Sequence, residues 1–539
     1  MCNHHKDKRF GSALEHGSAH TEDHRRWSRR AFIRSLGLAG GGAALVGGLP
    51  VRAFGASPLS LLLGQNFSDH ILVIIRLAGG NDGLNTFVPL YDYDTYANLR
   101  PTLRIPESQL IQLDGDFGMP NFMQSLNPLW QEGRMKVVNT VGYPGQNLSH
   151  FRSTDIWDSA SDADVLEDSG WLGRVITQQY PDLITNPPET PPAIQIGGVG
   201  HIAFNNENQF DLSFSVTSPE ELQAIAQNGQ LYDPNDVPAC YVGEQISFLR
   251  AVTNNTFTYA DVIAEAYDQA ANSVQYAGDL GEQLAIVARL IKGGLKTPLY
   301  MVTIAGFDTH AIQTDLHRQL LTEVADQVKN FFDDLQNGGR SQDVLCMTIS
   351  EFGRRIEENG SQGTDHGAAA PLLLFGEGLN GNGFLGEKPD LHDVDEVGNL
   401  KFSVDFRQIY ASVLQNWLCL DAAQVDLALG RHFPRLDLGI QCSVTATEEA
   451  PPVPRISSEV RYGPNGEIEI HYTLPFAARV SARVFDMIGQ PVAELERALR
   501  PAGEHKIVFR PERRLPSGIY VVRLLADDLV VSKQFRLVR

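Results

Sequence analysis

At 539 residues the chain exceeds what one ordinary hydrophobic core supports, which predicts a large domain and at least one smaller module. With 42% hydrophobic and 20% charged residues, it has the composition of a folded globular protein rather than a disordered one. The net charge of −21 excludes a nucleic-acid binder, because a phosphate backbone calls for clustered Lys and Arg. The acid is concentrated, since residues 1–50 and 451–539 each sum to +4 and leave −29 between them. Such a middle region favours solubility over a role in gathering cations.

The N-terminus is polar and His/Arg-rich to Trp27, continues as Ser28-Arg29-Arg30-Ala31-Phe32-Ile33, and passes into a Gly, Ala, Leu and Val stretch over Leu36–Leu49. Small residues follow at Val51-Arg52-Ala53 and Phe54-Gly55-Ala56. This order predicts a cleavable twin-arginine signal over residues 1–56, read by the twin-arginine translocase, which carries folded passengers. The apolar stretch is short of the roughly 20 residues a bilayer span needs, so no permanent membrane span is expected. Of the five cysteines, Cys2 would leave with the signal, while Cys240, Cys346, Cys419 and Cys442 show no C-x-x-C spacing for zinc. Export would allow some of these four to pair, in a combination the sequence leaves open. Cys346 lies within an apolar strand pattern and reads as a core residue.

Residues 57–445 alternate apolar runs with longer helical patterns, which predicts an α/β domain. Strands are expected over Ile71–Leu77, Met135–Val141, Leu299–Ile304, Val344–Ile349 and Leu372–Phe375, and helices over Ser247–Ala271, Gly281–Ile291, Thr314–Leu335 and Asp405–Leu418. Four of the strands run straight into loops rich in Gly and polar residues. These are Gly79-Gly80-Asn81-Asp82-Gly83, Gly142 to His150, Gly306-Phe307-Asp308-Thr309-His310, and Ser350-Glu351-Phe352-Gly353-Arg354-Arg355 with Gly363-Thr364-Asp365-His366-Gly367 beyond it. The carboxyl edge of an open α/β sheet is where ligands bind, so the loops are expected to converge on one site.

Taken singly, each loop has a structural reading: Asn81-Asp82-Gly83 as a tight turn, Ser149 as a helix N-cap, and Asp308-Thr309-His310 as a cap for the next helix. Together they point to a site, because turns do not call for His310, His366 or a Glu351 placed directly after a strand. Asp82, Asp308, His310, Glu351, Asp365 and His366 form a pool of carboxylate and imidazole ligands for a divalent metal ion, whether zinc, manganese, magnesium or calcium. Ser149, at a helix start, is the candidate nucleophile or anion contact. Arg152 and Arg354 are candidate oxyanion clamps, whereas Arg355 reads as surface charge.

Ala446-Thr447-Glu448-Glu449-Ala450-Pro451-Pro452-Val453-Pro454 has linker composition, with the linker extended to 460. Beyond it, strand-like runs at Ile468–Thr473, Val480–Phe485, Lys506–Phe509, Ile519–Leu525 and Val530–Leu537 are separated by turn signals. They predict a small all-β sandwich, immunoglobulin-like, over 461–539.

Two resemblances sharpen these readings. Leu77-Ala78-Gly79-Gly80-Asn81-Asp82-Gly83-Leu84-Asn85-Thr86, Ser149-His150-Phe151, Gly170-Trp171-Leu172-Gly173-Arg174, Gly306 to His310, Ser350 to Arg355, Gly363 to Gly367 and Asp405-Phe406-Arg407 resemble the bacterial family catalogued as domain of unknown function 1501. That family is grouped with the alkaline phosphatase and sulfatase superfamily, which implies a doubly wound α/β sheet with helices on both faces and a metal site at the strand ends. The order Asp82, Ser149, Asp308 with His310, Glu351, His366 follows the superfamily's, with two departures. Asp308 and His310 are two apart where four is usual, and Glu351-Phe352 stands where the superfamily has Asp-His. In the tail, Val484 to Val492, Ala502-Gly503-Glu504-His505 and Pro516 to Leu524 resemble the type A C-terminal sorting domain of the type IX secretion system. This implies passage through that machinery to the cell surface or outside; a generic accessory module is the alternative. The expectation is an exported metal-dependent hydrolase of phosphate or sulfate esters. The other reading is a non-catalytic surface protein of the same fold that binds glycans or scaffolds a complex. A redox enzyme is disfavoured by the lack of a dinucleotide, flavin or metal-thiolate motif.

Overall fold

A computed structural model describes residues 69–537 apart from 443–456 and short loop segments, of which 219–230 is the longest. The signal predicted for residues 1–56 and most of the linker therefore lie outside the described residues. Contacts divide the chain into two units, one holding most of residues 67–442 and one holding 443–539.

The first unit is α/β. Its strands are β1 Ile71–Ala78, β2 Met135–Gly142, β3 Ala193–Ile196, β4 Phe214–Val216, β5 Leu299–Ala305, β6 Val344–Ile349, β7 Ala370–Phe375, β8 Gly383–Leu385 and β9 Val404–Asp405. They form one sheet in the order β8-β2-β7-β6-β1-β5-β3-β4, with β9 pairing β2. The central strands are apolar without alternation because both faces are covered: β1 and β6 are buried along their whole apolar run. Ile71, Val73, Ile75 and Leu77 join one core with helices α3 Tyr241–Gln269, α4 Gly278–Lys292 and α5 Gln313–Asn337. On α5, Leu321, Val324, Val328, Phe331, Phe332 and Leu335 recur at helical spacing and make its buried stripe. The intervening Leu72 and Ile74 of β1 are buried as well. Arg76 on that face donates to Thr154 Oγ1 at 2.6 Å, which brings helix α1 His150–Ser159 over the opposite side.

Strand direction decides where the loops go. β1 pairs in parallel with both β5 and β6. β7 is antiparallel to both β6 and β2, so β2 runs the same way as β6. The carboxyl ends of β1, β2, β5 and β6 thus share one edge, as expected. The antiparallel β7 makes the sheet mixed, which an apolar run alone does not reveal, because hydropathy carries no sign of direction.

Asp405 caps helix α6 Phe406–Asn416 with a reciprocal capping box to Gln408. The buried Arg407 pairs with Asp405 and Asp162, so Asp405-Phe406-Arg407 is a structural device. Cys346 is buried in β6, where desolvation pushes its thiol up. Cys419 and Cys442 form a disulfide.

The second unit is all-β. Strands β10 Ser457–Tyr462, β11 Ile468–Leu474 and β14 Gly503–Phe509 make one antiparallel sheet, and β12 Ala478–Phe485, β13 Pro491–Arg500, β15 Gly518–Ala526 and β16 Leu529–Leu537 make the other. Inward residues of both sheets, among them Ile470, Tyr472, Val484, Val522 and Phe535, form one apolar cluster. β10 begins inside the span read as linker, and β13 was hidden by the charged, non-alternating sequence of Pro491–Arg500.

The disulfide spans 23 residues, for which chain entropy estimates about 3 kcal/mol of stabilisation. Replacing Cys419 and Cys442 together by Ser is expected to lower unfolding stability by roughly that amount in a urea titration.

Candidate functional site

Two glycines let the strand ends close on one another. Gly79 has φ +125°, and a Cβ there would stand 2.2 Å from the Asp308 amide nitrogen; Gly80 has φ +90°, and a Cβ there would meet the Phe352 ring at 2.5 Å. A side chain at either position would separate the β1 and β5 loops or displace Phe352. The gap is bridged by Arg354, which is 2% exposed. Its Nε donates to Gly80 O (2.9 Å) and its Nη1 to Thr364 O (2.9 Å). Its Nη2 donates to Gly79 O, to Phe307 O (2.9 Å) and to Asp308 Oδ1 (2.8 Å).

Around Asp308 stand three histidines, each held by its other ring nitrogen. His150 Nδ1 meets Glu351 Oε1 at 2.9 Å, and its Nε2 lies 3.4 Å from Asp308 Oδ2. His366 Nδ1 donates to Leu148 O at 2.8 Å, and its Nε2 lies 3.2 Å from Asp308 Oδ1. His310 Nδ1 meets Asp365 Oδ1 at 3.3 Å, and its Nε2 lies 3.2 Å from Asp308 Oδ1. A ring that gives its Nδ1 proton to an acceptor presents a lone pair at Nε2, and this is how metal-binding imidazoles are oriented. His310 Nε2 and His366 Nε2 are 2.9 Å apart, so their lone pairs face each other and repel unless a cation or shared proton lies between. Ligand atoms of His150, Asp308 and His366 all fall within 4.8 Å of one another. Ligands about 2.0–2.1 Å from a tetrahedral zinc stand roughly 3.3 Å apart, which the 3.4 and 3.2 Å approaches of His150 and His366 to Asp308 match.

The surroundings tune these groups. Partial burial alone would raise the Asp308 carboxyl, but the hydrogen bond and charge of Arg354, with the His366 and His310 rings beside it, bring it down to about 2. Burial lowers His366 below its ordinary value, which leaves it neutral and able to ligate at pH 7. A hydrogen bond from Asn359 is the main influence that lowers Asp365. Phe352 packs against both rings, with centroids 4.3 Å from His366 and 4.9 Å from His150.

The structure thus brings Asp308, His310, Asp365, His366 and Glu351 together and separates Asp82 from them. Asp82 is fully buried with Arg100, whose Nη1 lies 2.6 Å from Asp82 Oδ2, and Gln313 donates to the same oxygen. Both Asp82 oxygens are therefore occupied. Glu351 reaches the cluster through His150; its Oε1 also accepts from the Gly79 amide at 2.8 Å, while Oε2 is buried without a partner among the described residues. Ser149 is exposed at the N-cap of α1, but its side chain makes no capping bond. Helix α5 after His310 has Ile312 at its N-cap and no side-chain cap, so Asp308-Thr309-His310 does not cap it. Arg152 Nη2 donates to the carbonyls of Asp162, Ala163 and Val165, away from the imidazoles. Arg355 is half-buried, its backbone N–H donating to Asp365 O.

His150 was not singled out in the sequence, although it directly follows Ser149 at the end of a loop leaving the same sheet edge. Arg100 carried no signal, because its partner Asp82 is reached only through tertiary contact.

An α/β protein with a His/Asp cluster at the carboxyl edge of its sheet is the class that fold and site define. The family described as Protein of unknown function (DUF1501) matches residues 138–437, more than half of the chain, and the chain belongs to that family. None of the curated proteins compared with the chain matches it. Among solved structures, a protein of the alkaline phosphatase superfamily from Vibrio parahaemolyticus is similar over 83% of this chain and 84% of its own, at 10% identity and a TM-score of 0.30. The lipoteichoic acid synthase LtaP from Listeria monocytogenes is similar over 83% and 90%, at 8% identity and 0.31. The PsFucS1 sulfatase from Pseudoalteromonas sp. is similar over 82% and 83%, at 10% identity and 0.29.

Two outcomes are expected. Asp82→Ala strands the Arg100 guanidinium in the core and costs about 3–5 kcal/mol, measurable by urea unfolding at pH 7. Burial would raise Asp82, yet Arg100 and Gln313 hold it below its ordinary value. The stability it contributes is therefore present above about pH 4 and lost as pH falls through the lowered value. Asp82→Asn should accordingly flatten the acid limb of the stability profile. Second, divalent-metal affinity measured by calorimetry should weaken on acidification, because a proton and a metal ion compete for the ring lone pair of His366.

Proposed function

We propose that the chain is a metal-dependent hydrolase of phosphate or sulfate esters that works outside the cytoplasm. The observation that carries this reading is the convergence of His150, His310 and His366 through Nε2 on the Asp308 carboxylate, each ring held at Nδ1 by an acceptor. Asp308, His150 and His366 would hold the ion, with His310 beside them. A bound divalent ion would supply Lewis-acid polarisation of an ester oxygen and a lowered pKa for a coordinated water.

The chain's own groups have separate tasks in this reading. Arg354 holds the Asp308 carboxylate ionised and in place; its donors are engaged within the loops, so it positions Asp308 rather than clamping substrate. Glu351 and Asp365 orient His150 and His310. Ser149, exposed one residue before His150 with a hydroxyl that makes no capping bond, is the nucleophile candidate. The Phe352 ring closes one side of the cluster to water. Asp82 is reserved for the fold.

Export is part of the same proposal. The twin-arginine pattern of Ser28-Arg29-Arg30-Ala31-Phe32-Ile33, the resemblance of the tail to a type IX sorting domain of immunoglobulin-like form, and the disulfide support it, since disulfides persist in oxidising compartments. Among the described residues no helix is long and apolar enough to cross a membrane.

The test uses the full-length mature chain. Elemental analysis should find a divalent metal, and aryl phosphates and sulfates should be turned over with chelator sensitivity. Asp308→Ala and His366→Ala should each lose at least about 100-fold in metal affinity or rate. Metal-free protein with no turnover, unaltered by either substitution, would leave the non-catalytic surface-binding reading in its place.

A further inference from the structure

Among the described residues of the α/β unit, the three most exposed large apolar side chains are Phe151 (86%), Leu166 (83%) and Ile312 (72%). Exposed apolar residues are ordinary when scattered. Each of these three is tied to the site through the chain or through Arg152. Phe151 directly follows His150, and Ile312 stands two residues after His310, so each lies within a short stretch of chain from an imidazole that touches Asp308. Leu166 belongs to the segment whose carbonyls at 162, 163 and 165 are held by Arg152, in the first turn of α1. Val165 and Leu316, also exposed, extend the two apolar stretches, Leu316 lying four residues beyond Ile312.

Ile312 adds a second, independent observation. Its φ is +48°, a left-handed conformation that costs a β-branched residue about 1–2 kcal/mol. The conformation is imposed by paired backbone bonds, Ile312 N to Ser361 O (3.0 Å) and Gln313 N to Gln362 O (2.9 Å). Asn or Gly would adopt it with less strain. The strain brings no burial in return, since the side chain faces solvent, so packing does not account for an isoleucine at this position.

We infer that Phe151, Leu166 and Ile312 form an apolar rim around the cluster that grips the organic, uncharged part of a small ester whose anionic head meets the imidazoles. This rests on the hydrolase reading above and names its substrate class: monoesters with an aromatic or hydrocarbon leaving group. The charge beside the rim selects this occupant over an anionic membrane surface. Asp162, Asp164, Glu167 and Asp168 flank Leu166 in sequence and no Lys stands beside Leu166 or Ile312, so neither segment offers the basic residues that hold an anionic membrane surface.

The experiment is calorimetric titration of the zinc-loaded full-length mature chain with phenylphosphonate and with methylphosphonate, which share the head and differ in the apolar group. The phenyl probe is expected to bind at least about 10-fold tighter, the value of partly burying one ring. Phe151→Ser and Ile312→Asn should each narrow that ratio, while Phe151→Leu should largely keep it. Ile312→Asn should also raise the melting temperature, because the strain is relieved. Equal binding of the two probes, or a ratio untouched by Phe151→Ser and Ile312→Asn, overturns the rim and leaves the hydrolase reading standing. Binding of neither probe overturns both.

Discussion

Arg354 lies at the centre of the site without facing solvent. One guanidinium gathers the carbonyls of Gly79 and Gly80 after β1, of Phe307 after β5 and of Thr364, and then holds Asp308 Oδ1. A buried cation is tolerable only when its donors are matched by acceptors, and here three loops supply them. The same contacts that satisfy the charge therefore fix the loops relative to one another. Asp308 owes its low pKa and its position largely to this residue, and the imidazoles in turn are arranged around Asp308. The order of dependence runs from Arg354 to Asp308 to the histidines.

Two ion pairs near the sheet edge have opposite characters. Asp82 and Arg100 are both without exposed side-chain surface, and their oxygens and nitrogens are used up by Asn85, Gln313 and the carbonyls of Arg355 and Ile356. That pair closes on itself. Asp308 is paired with an equally buried Arg354 but keeps 47% of its own side chain exposed. Half of that pair faces outward, toward three ring nitrogens with lone pairs. A carboxylate enclosed on all sides is structural, and one held at its back and open in front is available for chemistry. Two aspartates that look alike in sequence, each after a strand and a Gly, are separated by this difference.

Much of the fold was legible because burial on two sides forces long apolar runs, and these marked β1, β2, β5 and β6 to within a residue or two. The glycines at 79 and 80 were legible as turn signals, while their close approach to Asp308 and Phe352 was not. His310 and His366 stood out because turns have no use for imidazole. His150 did not, since a histidine opening a helix has many ordinary explanations. Arg152 and Arg354 read alike as cations near the loops, yet one ties down a neighbouring segment and the other organises the site.

By itself the sequence determined strands β1, β2, β5, β6 and β7, that four of them end in polar Gly-bearing loops, and that the tail is all-β, and it set Asp82 in one candidate pool with Asp308, His310, Glu351, Asp365 and His366. These follow from local periodicity and residue chemistry, which act over a few residues. Only the tertiary structure decided that β7 runs against its neighbours, that Cys419 meets Cys442, that Arg100 neutralises Asp82, and that His150 completes the cluster. Each of these depends on groups distant in sequence coming within a few ångströms. Pairing at that range depends on how loops close over a packed sheet, and the local pattern of residues carries no record of it.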